Sequence, residues 1–175
     1  LALAIFDLDN TLLSGDSDHE WGQFLVKRGV VNPTTYKEAN DRFYIDYKNG
    51  CLNVQEYLQF VLKPFTEQPI EQLLCWRKEF FESLIKPIIL PAGENLIASH
   101  KAKGDDLLII TATNHFITQP IADYLGIQHL IATVPEIKEG KYTGYVTGTP
   151  SFREGKITRL DQWLLKHKKE SEGAT

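Results

Sequence analysis

The run "LALAIF" (1–6), followed at once by "DLD", is the feature that most limits what this chain can fold into. An unbroken apolar run is the pattern of a strand covered on both faces, as in the middle of a parallel sheet, and it puts Asp7 at the strand's C-terminal end. Asp7 and Asp9 are spaced two apart. Carboxylates that close repel, each raising the other's pKa unless a cation or hydrogen bonds compensate. The stretch therefore requires an electropositive partner.

Two further runs repeat the strand pattern. "LLIIT" (107–111) follows a helical stretch that starts at Glu94 and stops at Gly104. "HLIAT" (129–133) follows another that stops at Gly126, with Pro120 predicted in its first turn. Strand and helix in alternation predict an α/β fold with a parallel, Rossmann-like sheet. Between the first two strands the pattern is helical throughout. Ser17-Asp18-His19-Glu20 reads as a capping box opening a helix that closes at Gly29, and a second helix runs from Pro33 to Asn49-Gly50. Asn53 caps a third that ends at Pro64, and Pro69 opens a fourth. The predicted organisation is an α/β core over 1–14 and 91–175 with an all-helical insert over 15–90. The segment 136–148 alternates about Glu139-Gly140 as a small β-hairpin, and Ser151 to Glu154 reads as a second capping box ahead of the last helix.

Composition excludes several classes of function. The net charge is −4 and the basic residues are scattered, so there is no electrostatic footprint for nucleic acid. No apolar run reaches the roughly 20 residues of a membrane span. Cys51 and Cys75 fit no metal or redox spacing, which with the lack of a leader pattern predicts a cytoplasmic protein. The chain starts at Leu1 and has no Met, so the initiator is expected to be missing.

In open α/β sheets, ligands bind beyond the carboxyl ends of the strands. Asp7, Asp9, Thr111 and Lys156, near the start of the last helix, gather there and together suit a phosphate. A divalent cation would neutralise the aspartates, and the Thr111 hydroxyl, backbone N–H groups and the Lys156 ammonium would hold the remaining charge.

These residues resemble a known family. "DLDNT" resembles the DxDx[TV] signature of the haloacid dehalogenase-like phosphohydrolases, Thr111 is similar to their second motif, and Lys156 in "EGKITRL" to their third. The helical insert is placed like a type-1 cap, which is similar to the phosphoserine phosphatase branch, subfamily IB. The resemblance implies a Mg²⁺-dependent phosphomonoesterase acting on a small phosphorylated metabolite. Asp7 would be the nucleophile that forms an aspartyl-phosphate, and Asp9 the general acid and base. Mg²⁺ would be held by the Asp7 carboxylate and the Asp9 backbone carbonyl. Thr111, Lys156 and backbone N–H groups around Ala112 would clamp the phosphoryl group. Asp16 falls where phosphoserine phosphatases meet the substrate amine, but Gln59, Phe60 and Val61 stand where they carry a basic residue, leaving Arg42 as the candidate for that need. The family's further acidic metal ligands have no match except Asp161, Glu170 and Glu172, and they are expected past Thr175. A phosphotransferase or mutase, a phospho-acceptor module and a non-catalytic fragment are the alternative readings.

Overall fold

The apolar run becomes β1 (Leu3–Phe6), paired in parallel with β2 (Asp106–Asn114), Leu3 opposite Asp106 and Phe6 opposite Ile109. β2 pairs in parallel with β3 (His129–Lys138), and β3 turns into β4 (Lys141–Thr147), giving the order β1-β2-β3-β4. The turn falls at Glu139-Gly140, where both residues have positive φ (50° and 74°), as a two-residue hairpin turn requires. The computed structural model describes residues 2–173, with side chains through Lys168. Leu1 of the expected first strand and residues 174–175 of the expected core segment lie outside the described residues. The α/β class is as the sequence predicts. One expectation is not met: β1 does not lie in mid-sheet. Among the described residues it is the edge strand, and Ile5 is 47% exposed.

The chain divides into two compact units, Leu1–Ser17 with Ile88–Val134 and Thr147–Thr175, and Asp18–Pro87 with Pro135–Val146. In the first unit, α5 (Pro91–Ala102), α6 (His115–Leu125) and α7 (Glu154–Gly173) each pack on β2. Leu108, Ile110 and Ile131 form one face, closed by Leu3 and by Leu160 and Trp163 of α7. Leu107 and Ile109 alternate to the other face, and both are buried. Pro120 is inside α6 rather than in its first turn, because Asn114 caps the helix by accepting the Ile117 N–H (3.2 Å). Burial of Phe116, Ile117, Ile121 and Leu125 outweighs the backbone hydrogen bond that the proline removes.

The second unit carries most of α1 (Ser17–Lys27), and with it α2 (Pro33–Lys48), α3 (Val54–Thr66) and α4 (Ile70–Phe80). Asn32 and Asn53 cap α2 and α3 by accepting the N–H groups of Thr34 and Thr35, and of Gln55 and Glu56. α3 continues past Pro64 to Thr66, with Pro64 itself buried. The interior is aromatic, with Trp21 against Phe24 (5.4 Å), Phe65 (5.8 Å) and Phe80 (5.1 Å). Tyr142 of β4 meets Phe65 edge-on at 5.4 Å. A π-helical turn over Phe81–Ile85 and a 3₁₀ turn over Lys86–Ile88 then lead back to the sheet.

A hydrogen-bonded carboxylate at the start of β2 gives a test of this packing. Asp105 accepts from the Ala2 N–H (3.0 Å) and meets His100 Nδ1 at 2.9 Å. The hydrogen bond to His100, and then that to Ala2, hold the Asp105 carboxyl below its ordinary value of 3.8. A lowered carboxyl stabilises the fold above its unfolded pKa, and that gain is lost as pH falls through the folded value. The Tm deficit of Asp105→Asn should therefore be full above about pH 5 and shrink toward about pH 3.

Candidate active site

Asp7 follows β1 at its C-terminal end, and its carboxylate is half exposed. The Lys156 Nζ donates to Asp7 Oδ1 at 3.0 Å. Lys156 reaches it from the first turn of α7. That turn is fixed by close backbone contact, since a Cβ on Gly155 would lie 2.1 Å from the Pro150 carbonyl oxygen. Arg153, just before the helix, has φ 47°, an uncommon conformation for a bulky side chain. Thr133 holds the same turn to the sheet, its hydroxyl donating to the Ala112 carbonyl (2.9 Å) and accepting the Ser151 N–H (3.1 Å).

Asp9 is enclosed by hydroxyl donors. Its Oδ1 accepts from the Ser17 N–H (2.7 Å) and Ser17 Oγ (2.6 Å), and its Oδ2 from Thr113 Oγ1 (2.9 Å) and Thr111 Oγ1 (3.3 Å). Burial, reinforced by the negative charge of Asp16, pushes the Asp9 carboxyl up from its ordinary value despite these hydrogen bonds. A group so placed is disposed to carry a proton. The loop beyond it is locked as well. Asn10 has φ 55°, its N–H reaches the Gly15 carbonyl, and the N–H groups of Thr11, Leu12 and Leu13 all donate to Leu8. Leu13 bridges Ile89, so the loop is tied to the strand of chain entering α5.

The two threonines reach Asp9 because β2 bulges. Ile110 pairs with Ile131 and Asn114 with Thr133, so Thr111, Ala112 and Thr113 lie opposite Ala132 alone. The structure thus joins Asp7 with Lys156, and Asp9 with Thr111, through the two-residue step at buried Leu8. Asp16 is exposed beside Asp9, and Ala112 lies in the bulge. Arg42 is an exposed residue of α2 in the second unit, its guanidinium 4.6 Å from the Phe43 ring centre. Asp161 is exposed within α7, and the side chains of Glu170 and Glu172 lie outside the described ones.

Three contributors are missing from the sequence reading. Ser17 reads as a helix cap, but its hydroxyl goes to Asp9, a charge-assisted bond stronger than a cap. Thr113 and Thr133 carry no signal without the bulge that places them. Nor does Ser151 cap α7: it is fully buried, its hydroxyl has no hydrogen-bond partner among the described residues, and the helix begins at Glu154.

Residues 4–175 match the haloacid dehalogenase-like hydrolase family. The chain belongs to that family. It is 47% identical over 163 residues to a protein of Neisseria meningitidis serogroup C named histidinol-phosphatase, covering 93% of this chain and 73% of the relative. It is 27% identical over 161 residues to the Mycobacterium tuberculosis protein named phosphoserine phosphatase SerB1, covering 89% of this chain and 51% of the relative. Among solved structures, a protein of unknown function from Bordetella pertussis Tohama I superposes with a TM-score of 0.88 at 41% identity, over 95% of this chain and 75% of that one. The chain therefore spans about half the length of the mycobacterial relative and about three quarters of the other two. No helix among the described residues is long and apolar enough to cross a membrane.

Proposed function

We propose that the chain is a phosphatase of the haloacid dehalogenase-like family that hydrolyses a small phosphate monoester through an aspartyl-phosphate on Asp7. The observation that carries this reading is the 3.0 Å contact between Lys156 Nζ and the Asp7 carboxylate at the strand end. A lysine there gives the strand-end carboxylate a charge-assisted partner and meets the charge of an incoming phosphoryl group. An Asp7 oxygen attacks phosphorus and the bond to the leaving alkoxide breaks. Asp9 supplies the proton to that alkoxide, then takes one from the water that cleaves the acyl phosphate and returns Asp7. Thr111 and the N–H groups around Ala112 hold the phosphoryl oxygens beside the N-terminus of α6.

The donor chemistry fits Mg²⁺: the Asp7 carboxylate and the Asp9 backbone carbonyl are hard oxygen donors, and Mg²⁺ keeps several waters beside its protein ligands. When bound, the cation offsets negative charge on the carboxylate and the phosphate. Asp16 and Arg42 are the proposed substrate contacts. Support for histidinol phosphate as the first ester to try comes from the name of the Neisseria relative. Replacing either Asp16 or Arg42 with Ala should reorder kcat/KM among histidinol phosphate, phosphoserine and a generic aryl phosphate. Equal losses on all three would mark the positions as structural.

The direct experiment is borohydride reduction of enzyme quenched during turnover, which converts an acyl phosphate at Asp7 to homoserine and is read by peptide mass. Unmodified Asp7 in enzyme that is releasing phosphate would overturn the proposed intermediate. A second expected result concerns the lysine. Lys156→Ala should lower kcat/KM by roughly 10²–10³-fold, the scale for losing one charged stabiliser. Gly155→Ala forces the first turn of α7 away from Pro150 and should lower it through the same lysine. The double variant should then be little worse than Lys156→Ala alone, because two changes acting through one group do not add.

A further inference from the structure

The five histidines share no ligand spacing in sequence, yet the fold brings two of them together with an aspartate. Asp106 is the first residue of β2 and His129 the first of β3, and His129 pairs with Leu108. Side chains alternate along a strand, so Asp106 and His129 share the face that Leu108 and Ile110 present to α7. On α7, Leu160, Trp163 and His167 follow the i, i+3, i+7 stripe that packs on that same face. One ligand atom from each of Asp106, His129 and His167 lies within 4.8 Å of the others. His167 Nε2 is 3.7 Å from Asp106 Oδ2, and the two imidazoles are 5.1 Å apart.

We propose that Asp106, His129 and His167 form a site for a divalent transition-metal ion of the zinc type, separate from the phosphatase site. Two imidazoles and one carboxylate are the ligand set that such borderline ions take, with further positions left for water. Ligand atoms about 2.0–2.1 Å from a tetrahedral zinc sit about 3.3 Å apart, so the 3.7 Å between His167 and Asp106 is close to a bound spacing and small side-chain rotations close the rest. Trp163 stacks on His167 at 4.6 Å and meets His129 edge-on at 5.1 Å, restraining both rings. A cleft of about 250 Å³ reaches Asp106 and His129. Lys101, which shares that cleft, is drawn off to the Leu125 carbonyl (2.7 Å), and Asp105 is turned to His100 and Ala2. The cluster is at the N-terminal end of the parallel strands, about 16 Å along β2 from Thr111 at roughly 3.3 Å per residue. An ion there would clamp α7 to two strands, a stabilising and not a catalytic role.

The test titrates the metal-free full chain with Zn²⁺ by calorimetry and with Co²⁺ by visible absorption and Trp163 fluorescence, in wild type, Asp7→Asn, His129→Gln and His167→Gln. Wild type and Asp7→Asn should bind one Zn²⁺ equally, gain Tm on binding, and give Co²⁺ ligand-field bands with quenching that Trp163→Phe removes. Losing even a group that only supports a ligand costs 10–100-fold in affinity, so each His→Gln should weaken Zn²⁺ by roughly tenfold or more. His167→Gln changes only a helix side chain, so it reports even if His129→Gln fails to fold. Zinc binding unchanged in His167→Gln, binding lost in Asp7→Asn, or no binding by wild type would each overturn the site.

Discussion

Asp7→Asn is expected to abolish phosphate release while the protein stays folded. An amide oxygen lacks the negative charge needed to attack phosphorus, so the proposed two-step route through an acyl phosphate would close, whatever else the site retains. The fold should tolerate the change. Asp7 is half exposed, and the Lys156 ammonium that donates to it is itself partly open to solvent, which takes over as its partner. Surface substitutions of this kind move stability by about 0.5 kcal/mol or less. Phosphate release, borohydride capture and the melting curve should be read on one preparation. Turnover within about tenfold of wild type would remove Asp7 as nucleophile.

The parts of this site that could be read from sequence are those fixed within one element. The change from "LALAIF" to Asp7 marks a strand end by local pattern alone, and Lys156 sits in the first turn of a helix whose start the sequence places to within three residues, although Ser151 does not cap it. What escaped depends on chain meeting chain. Thr113 reaches Asp9 only because three residues of β2 lie opposite one of β3. Ser17 fits a capping box, but a carboxylate eight residues earlier claims the hydroxyl, and a local pattern cannot show that competition. Gly155 looks like an ordinary helix glycine until the Pro150 carbonyl is seen against it. The same holds for Asp106, His129 and His167, which come from three elements and have no common spacing.

Asp9→Asn should slow turnover by roughly 10²–10⁴-fold, the usual contribution of a general acid–base group, and should do so without loosening the site. The substitution is close to isosteric. Its Oδ1 can still accept from the Ser17 N–H and hydroxyl, while the new NH₂ replaces the oxygen that now accepts from Thr113 and Thr111. A hydroxyl can rotate from donor to acceptor, so Thr113 meets the amide with its bond reversed. Burial that raises the Asp9 carboxyl means that the folded protein holds this charge at a cost, and Asn removes the charge. The variant should therefore melt at or above the wild-type temperature at neutral pH while losing its rate, the sign expected when a group is kept for chemistry and not for stability. The loss should also depend on the ester. An aryl phosphate with an acidic leaving group needs little protonation, so its first step should suffer less than that of an alkyl phosphate, which depends on the Asp9 proton. Equal losses on both esters, with a lowered Tm, would instead make Asp9 a structural anchor for Ser17 and the two threonines.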